Sequence, residues 1–105
     1  MSEPTPSSPD IRHVEESGRG AFFIEGEGGR AAELIYARTP DGRSATLLHT
    51  EVARSLRGQG VAQKLVEAAV GWARAQKVSL VPQCPFARAV FERQPALQDV
   101  LAPAR

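Results

Sequence analysis

Apolar and polar positions alternate with a period of two through the first half of the chain and recur every three to four residues in the second. Ile11–Glu16 reads as a short strand and Ala21–Glu25 as a second. Ala31–Arg38 is a third, with Leu34 and Tyr36 on one face and Ile35 on the other. Ser44–Val52 is the fourth, apolar on both faces in places, as suits a central strand. Ser17-Gly18-Arg19-Gly20, Gly26 to Gly29 and Thr39-Pro40-Asp41-Gly42 carry turn chemistry between them. Connections this tight predict an antiparallel meander.

Gly58–Gln76 then reads as the principal helix, its apolar stripe made by Val61, Leu65, Val66, Ala69, Trp72 and Ala73. Gly71 costs that helix roughly 1 kcal/mol against alanine. Val78–Val81 predicts a short fifth strand, and its link to the fourth through a helix makes those two strands parallel. Pro85 suits the first position of a second helix over 85–94, ended near Pro95. The fold class is therefore α/β (α+β): a mostly antiparallel sheet of about five strands with one parallel pair, packed by two helices. Met1–Asp10, rich in Ser, Pro and acid, reads as a disordered tail, and residues 11–105 as a single domain with a frayed Ala-Pro-Ala-Arg end.

Composition narrows the function classes more than it selects one. A chain of 105 residues is large enough for one modest core. A net charge of +1 gives no electrostatic footprint for nucleic acid, and no apolar run approaches a membrane span or a signal peptide. The single cysteine excludes an internal disulfide and fits a cytoplasmic setting. No His/Cys cluster suggests a metal. The charge is uneven, however: residues 1–50 hold five Lys/Arg against eight Asp/Glu, and residues 51–105 hold eight against four. An anionic ligand is better received by the second half.

The second half also holds Arg57-Gly58-Gln59-Gly60-Val61-Ala62, at the junction of the fourth strand and the long helix. Two glycines there let the backbone turn sharply with its N–H groups uncovered. The first N–H groups of a helix lack internal partners and carry partial positive charge, so the turn suits a phosphate or pyrophosphate. Arg57 adds a full cation. A dinucleotide-binding Rossmann unit does not fit, because the chain opens with an antiparallel meander and the three-glycine spacing is missing. A P-loop does not fit, because no Gly-Lys-Ser/Thr follows.

Two further positions could carry chemistry. Cys84, just before Pro85, falls at the N-cap of the second helix, where the helix end favours a thiolate; a small residue packed under the sheet is the alternative. His49 and Glu51 lie two apart on the fourth strand and so share a face unless a bulge intervenes. An imidazole titrates near neutrality without tuning, whereas a carboxyl needs burial to act as a base there. Structural hydrogen-bonding roles stay open for both.

Arg57-x-x-Gly60-x-Ala62 resembles the Arg/Gln-x-x-Gly-x-Gly/Ala loop of the GNAT superfamily of N-acetyltransferases. Leu47-Leu48-His49-Thr50-Glu51-Val52 before it and Pro82-Gln83-Cys84-Pro85-Phe86 after the helix resemble the minimal, roughly hundred-residue subgroup. The resemblance runs from Phe22 to about Leu101. It implies that the fourth and fifth strands splay, with the pantetheine arm of acetyl-coenzyme A between them and hydrogen-bonded near Glu51, Val52 and Ala53. It implies that Arg57, Gly58, Gln59, Gly60, Val61 and Ala62 take the pyrophosphate. Cys84 would then lie near the thioester, as an acetyl-accepting nucleophile or as an acid to the departing thiolate. His49 or Glu51 would serve as base.

The chain departs from the family where many members have a tyrosine on the last helix, since Val90 and Phe91 occupy that neighbourhood. It also lacks the helices that fuller members insert between the first two strands. The expectation is an acetyl-CoA-dependent N-acetyltransferase acting on a primary amine, a lysine or peptide amine of a protein, as a monomer or weak homodimer. The alternative is a non-catalytic coenzyme A-binding sensor or interaction module.

Overall fold

The structure, a computed structural model, describes residues 11–102. The expectations for Met1–Asp10 and for the last three residues lie outside that range. Five strands, β1 (Arg12–Glu16), β2 (Arg19–Gly26), β3 (Gly29–Arg38), β4 (Ser44–Val52) and β5 (Ser79–Pro82), form one sheet in chain order. The first three pairings are antiparallel and β4–β5 is parallel. Helices α1 (Val61–Gln76) and α2 (Pro85–Arg93) pack on one face, and short 3-10 segments occupy Arg54–Leu56 and Pro95–Val100.

The hairpins are tighter than the turn-rich sequence suggests. Only Ser17 and Gly18 lie between β1 and β2, both with positive φ, the two-residue geometry that matches strand twist. Arg19 and Gly20 belong to the strand instead. Gly20 is there because the Tyr36 ring crosses directly over it; a Cβ would overlap Cζ and the hydroxyl oxygen of Tyr36. The first helix begins at Val61 rather than Gly58, since Gly58 and Gly60 turn with φ of 81° and 73°.

One core joins the sheet to both helices. Leu34, Tyr36, Ala45, Leu47 and Leu80 from the sheet meet Leu65, Val66, Ala69, Val70 and Ala73 of α1. Trp72, expected in that stripe, is only half-buried: it roofs an aromatic cluster with Tyr36 (ring centroids 4.9 Å apart), His13 (5.5 Å) and Phe22 (5.9 Å). Val70, outside the expected stripe, is buried instead. The segment Pro95–Val100, beyond the expected end of the second helix, is tied to α1 by Arg74, whose Nη2 and Nε donate to Asp99 at 2.7 and 3.1 Å. Its end seats Val100 in the core and bridges Leu101 to Leu80.

A polar chain closes the β1 edge. Tyr36 Oη donates to Glu15 Oε1 and meets His13 Nε2, both at 2.6 Å, and Arg38 Nη1 donates to Glu15 Oε2 at 3.3 Å. Burial first, then the Glu15 carboxylate, holds the Tyr36 hydroxyl above its ordinary pKa. The Tyr36 hydrogen bond, ahead of Arg38, holds Glu15 below its ordinary value, and burial lowers His13, partly offset by Glu15.

Two predictions follow from this packing. Gly20→Ala should destabilise the fold by about 1–3 kcal/mol through overpacking against Tyr36, whereas Gly71→Ala, with open space around its Cβ, should stabilise it by about 1 kcal/mol; urea denaturation checks both. A second concerns pH. Because the folded His13 value lies below its ordinary 6.5, the unfolded chain protonates first, and stability falls as pH drops below about 6.5. Glu15, also depressed, adds stability that is present above its ordinary 4.5 and lost as pH falls through its lower folded value. Tyr36→Phe should flatten the second, more acidic part of the urea-midpoint profile and leave the first part in place.

Candidate active site

The parallel ladder between β4 and β5 stops early. It pairs Ser44–Leu47 with Ser79–Pro82, and beyond it the Leu47 carbonyl accepts both Gln83 N–H (3.1 Å) and Cys84 N–H (3.0 Å). Pro82 has no N–H for the ladder, and Pro85 starts α2, so the strands part. The gap opens into a groove of about 810 Å³ between His49–Val52 on one side and the outer face of α2 on the other, with Leu56–Gly60 and the start of α1 at its head.

A bulge in β4 decides what faces where. Ile35 pairs with His49 but Tyr36 pairs with Leu47, leaving Leu48 as the extra residue. The bulge falls before His49, so His49 and Glu51 stay together on the face away from the core. Nε2 and Oε1 are 3.6 Å apart, and the side chains are 57% and 69% exposed. The same bulge brings Thr50 round to the core side, where it is buried.

The alternation of an antiparallel ladder also sorts the backbone groups of β4. Ala53 N–H donates to Ala31 O, so Ala53 and Glu51 turn their backbone polar groups toward β3. Thr50 and Val52 turn theirs toward the groove. Of the expected trio Glu51, Val52 and Ala53, only Val52 presents backbone there, and its carbonyl already accepts Arg57 Nε at 3.2 Å. Thr50 is the strand residue that sequence reasoning missed; a bulge in β4 was its only signal.

At the head of the groove, no carbonyl or side chain among the described residues takes the N–H groups of Gly58, Gln59, Gly60, Val61, Ala62 or Gln63. The first helical bond is Lys64 N–H to Gly60 O, at 3.1 Å. Six consecutive N–H groups without a protein partner at a helix N-terminus are an arrangement suited to an anion, and the run is one residue longer than the five expected. Gln59 turns its side chain back to Ser55 O at 3.0 Å and so leaves the cradle open. Arg57 lines the groove on one side and Arg93, from α2, on the other. The Arg93 contribution was not legible without knowing which face of α2 turns to the gap. Nearby, Phe86 exposes 57% of its surface at the groove wall.

Cys84 occupies the N-cap of α2, as its place before Pro85 suggests, with φ −71° and ψ 133°. It is only 3% exposed and lies behind the groove wall rather than in it. Its Sγ is 3.3 Å from Thr50 Oγ1. Burial raises the thiol's proton affinity. The Thr50 hydroxyl and the backbone N–H groups of Ala87, Phe86 and Thr50 outweigh it, so the thiol lies below its ordinary pKa. Val90 and Phe91 are both buried, and only Val90 reaches the groove.

The family model described as GCN5-related N-acetyl-transferase matches residues 21–100, and the chain belongs to that family. Its structure is similar to the solution structure of a GCN5-like protein from Staphylococcus aureus, with 31% identity, a TM-score of 0.68, and coverage of 91% of this chain and 90% of that one. It also shares its fold with a ribosomal-protein-alanine N-acetyltransferase from Brucella melitensis (22% identity, TM-score 0.57, covering 86% of this chain and 66% of that one). An Escherichia coli ribosomal-protein alanine N-acetyltransferase is a further neighbour (23% identity, TM-score 0.58, covering 75% and 53%). The chain thus spans about two thirds and about half of those two proteins. No curated protein sequence matches it.

The cradle depends on left-handed backbone rather than on space, since a Cβ at Gly58 or Gly60 meets nothing within 4 Å. Gly58→Ala and Gly60→Ala should therefore each cost about 1–2 kcal/mol in urea denaturation, a strain that repacking cannot relieve.

Proposed function

We propose that the protein binds acetyl-coenzyme A in this groove and transfers its acetyl group to a primary amine, a lysine or peptide amine of a protein. The row of six free N–H groups at the head of an open groove carries the reading. Gly58, Gln59, Gly60, Val61, Ala62 and Gln63 would hold the pyrophosphate, with Arg57 and Arg93 supplying charge. The groove-facing backbone of Thr50 and Val52, chiefly the Thr50 carbonyl and the Val52 N–H, would hold the pantetheine arm in place of a missing strand. The groove is broad and open, which suits an acceptor presented by a protein better than an enclosed small molecule.

The cosubstrate supplies an activated acetyl thioester. His49, exposed at the mouth and within 3.6 Å of Glu51, takes the proton that the acceptor nitrogen must lose, and Glu51 stabilises the resulting imidazolium. Cys84 serves as the proton source for the leaving sulfur, with the groove-lining Thr50 hydroxyl, 3.3 Å from Sγ, carrying the proton between them. Its burial behind Thr50 favours this role over that of an acetyl-accepting nucleophile, which would have to reach into the groove.

Calorimetry with acetyl-CoA should give heat, and amide resonances of Gly58–Gln63 should move; absence of both would overturn the cosubstrate assignment. With an amine acceptor, His49→Ala should lower kcat by about 10²–10⁴-fold. Cys84→Ala should keep measurable activity, and intact-protein mass spectrometry without acceptor should show no acetyl increment. An acetylated Cys84 would instead establish the covalent route, and binding without turnover on any amine would mark a coenzyme A-binding module.

A further inference from the structure

We infer that Thr50 is a positioning residue: its hydroxyl orients the Cys84 thiol behind the groove wall and sets how readily that thiol gives up its proton. The inference rests on Cys84 being the proton source proposed above.

Among the described residues, Thr50 is the one polar or charged residue that is buried, at 5% exposure. Its neighbours on the core face of the sheet are Leu34, across the ladder, and Leu47, along β4. Valine would fill the same volume there without a hydroxyl to satisfy, so the hydroxyl needs a partner to avoid a desolvation cost. That partner is Cys84 Sγ at 3.3 Å, across a sequence separation of 34 residues. The contact exists only because the bulge at Leu48 turns Thr50, rather than His49, toward α2.

A hydroxyl suits both states of the thiol. Toward S–H, Oγ1 accepts; toward the thiolate, the hydroxyl rotates and donates. The bond therefore persists through proton loss and becomes charge-assisted, favouring the ionised form. Thr50 also lines the groove that Cys84 does not reach, so it fixes the distance between the thiol and whatever occupies the groove. Among the described residues, no charged side chain competes for this role. Arg88 of α2 turns to the carbonyls of Pro82 and Gln83, and His49 and Glu51 of β4 pair with each other on the other face. From α1, Val61 and Leu65 bring only apolar surface to the same core.

The test follows the thiolate directly, through its ultraviolet absorbance during a pH titration. Cys84 is the only cysteine in the chain, so Cys84→Ser supplies the blank, and the Tyr36 phenol, held above its ordinary range, does not overlap. Thr50→Val should move the thiol midpoint to higher pH, and Thr50→Ser should return it toward the original value. Circular dichroism confirms folding, and Thr50→Ala replaces the valine variant if that one does not fold. With an amine acceptor, the valine variant should also transfer acetyl at pH 7 roughly three- to tenfold more slowly, with KM for acetyl-CoA unchanged. An unmoved midpoint in the valine variant, or failure of serine to restore it, overturns the role of Thr50. Absence of acetyl transfer in the unsubstituted protein leaves the titration result standing and overturns the proposed activity instead.

Discussion

Everything at the candidate site depends on one interruption in the backbone hydrogen bonding of the sheet. β4 and β5 share a parallel ladder only as far as Leu47 and Pro82. Two prolines bracket the break: Pro82 cannot donate, and Pro85 starts a helix in place of a longer strand. An unpaired strand edge buried in a domain core would be costly. Here the edge faces a groove instead, and its polar groups stay available. The gap is thus a stable way to keep peptide N–H and C=O groups in reserve at the centre of a protein.

A second irregularity divides the chemistry between two faces. Without the extra residue at Leu48, the buried position of β4 would fall to a histidine and a glutamate, and the exposed position to threonine. With it, His49 and Glu51 stay exposed to water, and a hydroxyl goes inside, where it can be satisfied by a single partner. The bulge and the ladder break lie within a residue of each other along β4. Both are deviations from regular pairing, and together they build the site.

The regular parts of this arrangement are legible in the sequence because they follow from period and punctuation. Alternation gives the four-stranded meander, the 3.6-residue stripe gives α1, and Pro85 gives the start of α2. The glycine pair at 58 and 60 announces a turn that exposes N–H groups. Less legible are features that depend on a distant neighbour. Gly20 looks like turn punctuation, yet it makes room for Tyr36, sixteen positions further along. Trp72 fits the apolar stripe of α1 but reaches beyond the core edge to cover His13. Thr50 reads as an ordinary strand threonine until the bulge and Cys84 are placed. Arg93 becomes part of the groove only once the packing of α2 fixes which side of that helix looks inward.

The sheet order, β1 to β5 in chain sequence, has a consequence for how the molecule assembles. Each strand pairs with its predecessor through a short connection, except β5, which must wait for α1 to cross back over the sheet. Local pairings form early because they close small loops, and the parallel pair closes the largest. The four-strand meander is therefore the part that can form first, and the β4–β5 junction the last. In this chain the groove starts where that junction stops, so the site takes its shape only once the meander that carries β4 is in place.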